Sequence, residues 1–206
     1  MKLLTHDEIL KLISDANPSS LFLDPLLAED QVGSVTVDLR LGYDFLVSIL
    51  TRKPAIEPCP WDDEKKRGIH SYFQETRRRI GERFVLYPHQ VVLSTSIEFL
   101  SLPNNIFAEV SIRSSYSRLG VSISTTLQPG WKGTVPLELF NHGNSPVEMV
   151  VGSRVCQARF YQIDQEVEYV IPGSVRKYFG ATRPAISRAD KDKELELLTR
   201  ISQNKL

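Results

Sequence analysis

Residues 113–120 read Arg-Ser-Ser-Tyr-Ser-Arg-Leu-Gly, with two arginines and three serines in the first six positions. The run follows the strand-like Glu109-Val-Ser-Ile112 and precedes a β-branched stretch. That placement predicts one helical turn, N-capped by Ser114 and closed at Gly120, a natural left-handed residue past a helix end. A helix start offers unpaired backbone N–H groups to an anion. Arg113 and Arg118 would flank it with forked donors matched to phosphate oxygens. The plainer reading of the same pattern is a capped surface turn with solvated arginines.

A second candidate is Glu138 in Gly133-Thr-Val-Pro-Leu-Glu-Leu-Phe-Asn141. On a strand, Val135, Leu137 and Leu139 share one face, and Thr134, Pro136, Glu138 and Phe140 share the other. A carboxylate between a proline and an aromatic ring would be partly desolvated and so suited to general acid/base work. The alternative is an exposed glutamate on the wet face of a sheet. Ahead of this strand, Gln128-Pro-Gly-Trp131 fits a type II turn with Pro129 and Gly130 at its centre. Trp131 is either a core anchor or a wall for a base. Further on, residues 176–188, Arg-Lys-Tyr-Phe-Gly-Ala-Thr-Arg-Pro-Ala-Ile-Ser-Arg, read as a basic loop or as a flap over phosphates.

Zinc chemistry of the nucleobase-deaminase type needs a Cys-x-x-Cys pair, and the chain has only Cys59 and Cys156. His6, His70, His89 and His142 show no ligand spacing either, so hydrolysis is expected to be zinc-free. No Gly-x-Ser-x-Gly elbow supports a serine nucleophile.

The elements that must position these groups are mostly strands. A Thr5-x-x-Glu8 capping box starts a helix over residues 5–15. Ser34-Val-Thr-Val-Asp-Leu-Arg-Leu-Gly42 alternates as a half-buried strand does. Residues 51–83 are charge-dense and aperiodic, which reads as a solvated, partly mobile excursion. From Phe84 to about Ile171, short β-branched runs alternate with Gly, Pro and Asn, the pattern of an all-β sandwich or barrel. In the tail, Leu195, Leu198 and Ile201 lie on one helical stripe that must dock on its own body or on a neighbour. The expected organisation is one β domain over 1–189 and a helical tail over 190–206.

With 25 basic and 25 acidic side chains, the chain lacks the basic excess of a nucleic-acid binder. No apolar run reaches membrane-spanning length, and the N-terminus lacks signal-peptide character. Two cysteines are too few for a disulfide scaffold, so a cytoplasmic location is expected.

Taken in order, Ser34–Gly42, Phe84–Gly120, Gln128–Asn141, Gly152–Phe160 and Lys177–Arg188 resemble the dCTP deaminase branch of the dUTPase-like superfamily. The pairing of Arg-Ser-Ser-x-x-Arg-Leu-Gly with Pro-Gly-Trp-x-Gly-x-x-x-Leu-Glu carries most of that resemblance. It implies a distorted, jelly-roll-like β-barrel working as a homotrimer, or a hexamer if trimers pair, with active sites between subunits. It implies zinc-free removal of the cytosine amino group of dCTP, with Mg2+ held through the triphosphate and not by protein side chains. In that picture Glu138 is the acid/base, and Ser114 and Arg118 support it. Arg113, Ser115, Thr126, Gln128, Trp131, Gln157, Tyr169, Lys177 and Tyr178 meet the nucleotide.

Three departures stand out. Gln128 replaces the family's aspartate, Ala181 falls where the flap carries glutamine, and the segment from Gly120 to Gln128 is about three residues short. At that segment Thr126 stands where a small residue is expected. Because an amide cannot take a proton at neutral pH, Gln128 predicts that turnover stops at dUTP. The alternative reading is a non-catalytic deoxynucleotide sensor or trimeric interaction module of the same fold.

Overall fold

The computed structural model describes residues 1–50, 55–56, 58, 68–167 and 177–202. Its strands are β1 (Lys2–Leu3), β2 (Phe22–Asp24), β3 (Val37–Arg40), β4 (Asp44–Ser48), β5 (Phe73–Arg77), β6 (Arg83–Leu86) and β7 (Val91–Ser101). They continue with β8 (Ile106–Ile112), β9 (Val121–Ser122), β10 (Ser124–Leu127), β11 (Lys132–Asn141), β12 (Val147–Val150) and β13 (Arg154–Gln162). Three helices accompany them: α1 (His6–Ser14), the single turn α2 (Ser114–Ser117) and α3 (Lys193–Ser202). The mainly β expectation holds, although the described strands form three sheets and not one closed ring.

In the first sheet β13 is central. β8 lies along one side of it, followed by β10, while β1 and β3 share its other side end to end. In the second sheet β7 is central, between β11 on one side and β4 and β2 on the other, with β5 and β9 at the edges. β6 and β12 form a separate pair. The apolar faces meet in one core that includes Leu39, Leu41, Phe45, Leu100, Leu137, Leu139 and Phe160, all about 0–1% exposed. Each such side chain contributes roughly 1.5–3 kcal/mol by leaving water.

Local chemistry explains most of these boundaries. The Glu8 carboxylate accepts from the Thr5 backbone N–H at 3.0 Å and from its hydroxyl at 3.1 Å, which fixes the start of α1. Along β11 the burial alternates as its sequence requires, with Val135, Leu137 and Leu139 inside. Pro136 has no N–H to give a ladder, and the register with β7 slips between Thr134 and Pro136. Trp131 N–H donates to Gln128 carbonyl at 3.0 Å across a turn whose Gly130 has φ 76°, the type II geometry expected.

Two expectations are corrected. Of the excursion expected over 51–83, residues 51–54, 57 and 59–67 lie outside the described residues, and residues 68–83 are not loose: Ile69–Tyr72 forms a 3-10 turn and β5 pairs along the whole of β4. β3 is not half-buried. Val37, Asp38 and Leu39 are all buried, Val37 and Leu39 in the core and Asp38 beneath Gln157 and Arg154 of β13 and Arg113. The tail is helical as expected, and Leu198 and Ile201 of its stripe remain exposed on the single chain.

Candidate functional site

The turn read first in the sequence lies where β8 leaves its sheet. Arg113, not Ser114, is the N-cap residue, in extended conformation with φ −66° and ψ 145°. No side chain caps the turn, so the expected Ser114 cap is corrected. The Arg113 backbone N–H donates to Val155 carbonyl at 2.9 Å, tying the turn to β13. Gly120 closes the turn with φ 88°, and a Cβ there would lie 2.7 Å from the Gly143 nitrogen. Only glycine fits that approach. Behind it, buried Asn141 donates to Leu86 carbonyl at 3.1 Å and to Ser145 carbonyl at 2.9 Å, and accepts from Gly143 N–H at 2.9 Å. The turn is therefore pinned at both ends, while Ser114, Ser115, Ser117 and Arg118 face solvent.

A buried carboxylate backs this turn. Asp38 Oδ1 accepts from Gln157 Nε2 at 2.9 Å, and its Oδ2 stands 3.5 Å from Arg113 Nη1. Arg154 Nη1 lies 3.8 Å from the same oxygen. Arg154 is itself held by Asp30, whose carboxyl it keeps below the ordinary aspartate value through their hydrogen bonds. Arg113 and Gln157 thus both meet Asp38. Asp38 was missed, having been read as the wet face of a half-buried strand.

Glu138 sits elsewhere, on the hairpin of β10 and β11. These two strands join different sheets, β10 pairing with β8 and β11 with β7, so the hairpin opens between them. Thr125 bridges the opening: its hydroxyl lies 2.9 Å from Pro136 carbonyl and 3.0 Å from Glu138 Oε2. On the single chain Glu138 is exposed, the second of its two readings. Thr125, and not Thr126, is the residue in contact with it. Thr126 points to the opposite, exposed side, above Glu109 of β8. Gln128 is exposed on the turn, and Trp131 is 5% exposed within the core, the first of its two readings.

The C-terminal segment folds back over this strand. Gly180 N–H donates to Lys132 carbonyl at 2.8 Å, and Ala181 carbonyl accepts from Thr134 N–H at 3.0 Å and Thr134 hydroxyl at 3.2 Å. Ala181 thus contributes its backbone where a side chain was looked for. Arg183 latches the segment through Asp44 at 3.2 Å and Glu75 at 2.5 Å. Beneath it lies a cavity of about 250 Å3, walled by Leu93, Thr134, Pro136, Glu138, Tyr178 and Pro184. Lys177 is paired with Asp192 at 2.6 Å, and the Tyr178 hydroxyl accepts from Arg188 N–H at 3.1 Å. Tyr169 lies outside the described residues. A larger groove, about 440 Å3, opens between the end of α1 and the β7–β8 turn, and reaches Gly130 and Lys132 but neither Glu138 nor the Arg113 turn.

Among the described residues no hydrogen bond or ion pair joins Glu138 to Arg113, Ser114 or Arg118. One chain therefore holds the candidate residues in two separate groups: a cationic turn backed by Asp38, and a carboxylate on an open hairpin. Among the described residues, too, no three His, Cys, Asp or Glu side chains gather as metal ligands would.

Comparison with known proteins assigns the chain to a family. The dCTP deaminase-like family matches residues 3–163. A protein of Methanobrevibacter smithii named dCTP deaminase, dUMP-forming, is 36% identical over 179 residues, covering 84% of this chain and 90% of that one. A Methanosphaera stadtmanae protein of the same name is 32% identical over 197 residues, 93% of this chain and 96% of its own. A Halorubrum lacusprofundi protein named dCTP deaminase is 38% identical over 181 residues, 84% of this chain and 86% of that one. Among solved structures, the 2′-deoxycytidine 5′-triphosphate deaminase of Agrobacterium tumefaciens superposes with a TM-score of 0.56 at 25% identity. That match takes in 77% of this chain, which spans about half, 47%, of the Agrobacterium chain. On the family match and these identities, the chain belongs to the dCTP deaminase-like family.

Proposed function

We propose that this protein hydrolyses dCTP to dUMP, ammonia and pyrophosphate, at sites completed by a neighbouring copy of the chain. The observation that carries this reading is Glu138, held by Thr125 on a hairpin that opens between two sheets. Thr125 occupies Oε2, which leaves Oε1 to take a proton from water as it attacks C4 of the cytosine. The resulting tetrahedral carbon collapses when Glu138 returns that proton to the amino group and ammonia leaves. Ser114 and Arg118 of one copy face the hairpin of the next. Arg113, Ser115 and Gln157 meet the phosphates, with Lys177 and Tyr178 closing over them. A magnesium ion on the triphosphate would neutralise part of its charge.

The expected stop at dUTP is corrected to dUMP, on the names of the Methanobrevibacter and Methanosphaera relatives. A second water then attacks the α-phosphorus and pyrophosphate departs with the proton. Gln128 orients that water through its amide but is not its base. The assembly that completes the sites is a homotrimer, acting in the cytoplasm as one β domain over 1–189 with its tail over 190–206.

The test is to incubate purified protein with dCTP and magnesium, then measure ammonia, dUMP and pyrophosphate, with light scattering on the same sample. Equal release of all three from a particle of three chain masses is expected. Tight dCTP binding with no ammonia would replace the deaminase with a nucleotide sensor.

A further inference from the structure

Asp38 is an ionisable group that the chemistry above does not use, yet it is only 7% exposed. A buried carboxylate needs compensation, and that of Asp38 comes from residues placed around the proposed phosphate site. Gln157 Nε2 donates to Oδ1 at 2.9 Å, and Arg113 Nη1 faces Oδ2 at 3.5 Å. Arg154, at 3.8 Å, is already committed to Asp30, at 2.5 and 3.0 Å through its two terminal nitrogens. Arg113 is not so committed. Its other side-chain contact is a 3.5 Å bond to Arg154 carbonyl, and its side chain stays 37% exposed beside α2.

We propose that Asp38 is a positioning residue for a polyphosphate-bearing ligand, holding the Arg113 guanidinium and the Gln157 amide in one orientation. This rests on the reading of Arg113 as a phosphate ligand. Asp38 touches no substrate and acts through these two side chains. Bare electrostatics predicts the opposite sign: a carboxylate near a polyanion repels it, so neutralising Asp38 would tighten binding. Positioning predicts weaker binding, because a released arginine regains its rotamer freedom and must be ordered again at each binding event.

Asp38→Asn separates the two. It keeps an acceptor for Gln157 and nearly the same volume, and removes the charge facing Arg113. Calorimetry with inorganic tripolyphosphate should show affinity falling about tenfold, as expected for loss of one charge-assisted contact. KM for dCTP should rise by the same factor with kcat unchanged, and inhibition by unphosphorylated deoxycytidine should stay as in wild type. Unchanged or tighter tripolyphosphate binding overturns the proposal. So does an equal loss of deoxycytidine affinity, which reports general distortion. In an Arg113→Met, Gln157→Met background, Asp38→Asn should cost nothing more, and a further loss overturns it as well. If Asp38→Asn does not fold, Arg113→Lys reads the same contact, since one ammonium cannot span Asp38 and a phosphate together. It should also lose about tenfold, and wild-type affinity would overturn the idea. Tripolyphosphate binding needs no turnover, so a wild type that binds it but releases no ammonia refutes the deaminase reading alone.

Discussion

The turn at Arg113–Gly120 and the hairpin at Ser124–Asn141 hold the two groups of side chains that the proposed reaction draws on, and they are built differently. The turn has its backbone tied to Val155, its end fixed against Gly143 and its arginine backed by a buried carboxylate. The hairpin splits between two sheets, and its glutamate is exposed with a single threonine contact. Groups that meet a ligand already charged in the ground state gain from being ordered beforehand, since the ordering cost is then met in folding and not in binding. A general acid/base is different, because its surroundings matter only once water is excluded. In the proposed assembly, the side left open on the single chain acquires those surroundings when another copy closes over it.

Glu138→Gln is the most severe way to break this contrast. It keeps shape and hydrogen bonding but cannot transfer the proton, so kcat for ammonia release should fall about 10²–10⁴-fold. KM and tripolyphosphate affinity should stay near wild type. A variant that loses phosphate binding as well would show that the two regions do not act separately. On the other side of the comparison, Gly120→Ala forces a side chain into a positive-φ position and against the Gly143 backbone. It should cost about 1–3 kcal/mol of folding stability, read by denaturant melts, and weaken tripolyphosphate binding. An unaffected melt would mean that the turn is not pinned there. Thr125→Val removes the one hydroxyl on Glu138 and should lower kcat about tenfold, the worth of one hydrogen bond to a charged group. The melting temperature should hardly move. Thr126→Val, on the opposite side of β10, should change neither.

That last pair shows what could be read before the structure. The parity of β11 was plain from Val135, Leu137 and Leu139, so Glu138 came out on the correct face. The same parity on β10, counted back from buried Ile123 and Leu127, places Thr125 with them and Thr126 outside. That parity is legible in the sequence itself. Asp38 was not legible in the same way. Alternation says which side chains share a face, but not which of them long-range partners bury, and Asp38 is buried by Gln157, Arg113 and Arg154. The two-residue β1 and three-residue β2 have no period to detect, and the charges of β5 mask an edge strand whose outward residues are solvated. The division into two groups depends on which strands pair, and pairing is a long-range fact that local pattern does not encode.

The smallest expected effect tests how firmly the ordered half rests on its foundation. β3, which carries Asp38, is anchored by a second buried carboxylate: Glu98 accepts from Arg40 N–H at 2.9 Å and from Gln31 Nε2 at 2.8 Å. Burial pushes the Glu98 carboxyl above its ordinary value, and the hydrogen bonds from Arg40 and Gln31 only partly oppose this. An acid with a raised folded value holds its proton where the unfolded chain has already released it. Stability should therefore decline as pH climbs from the ordinary glutamate value through the raised one, and level off above it. Glu98→Gln copies the protonated form. Gln31 has a buried Oε1 without a hydrogen-bond partner, so turning its amide over lets it accept from the new side chain while Arg40 N–H keeps an oxygen. The variant should fold, and its melting temperature should lose this decline across the window. Phosphate binding should be unchanged, because the Asp38 contacts stay in place. A wild-type slope retained in Glu98→Gln would assign the pH dependence to other groups. A loss of tripolyphosphate affinity would mean that the ordered half extends down to Glu98, and that the boundary with the open half lies deeper in the fold than Asp38.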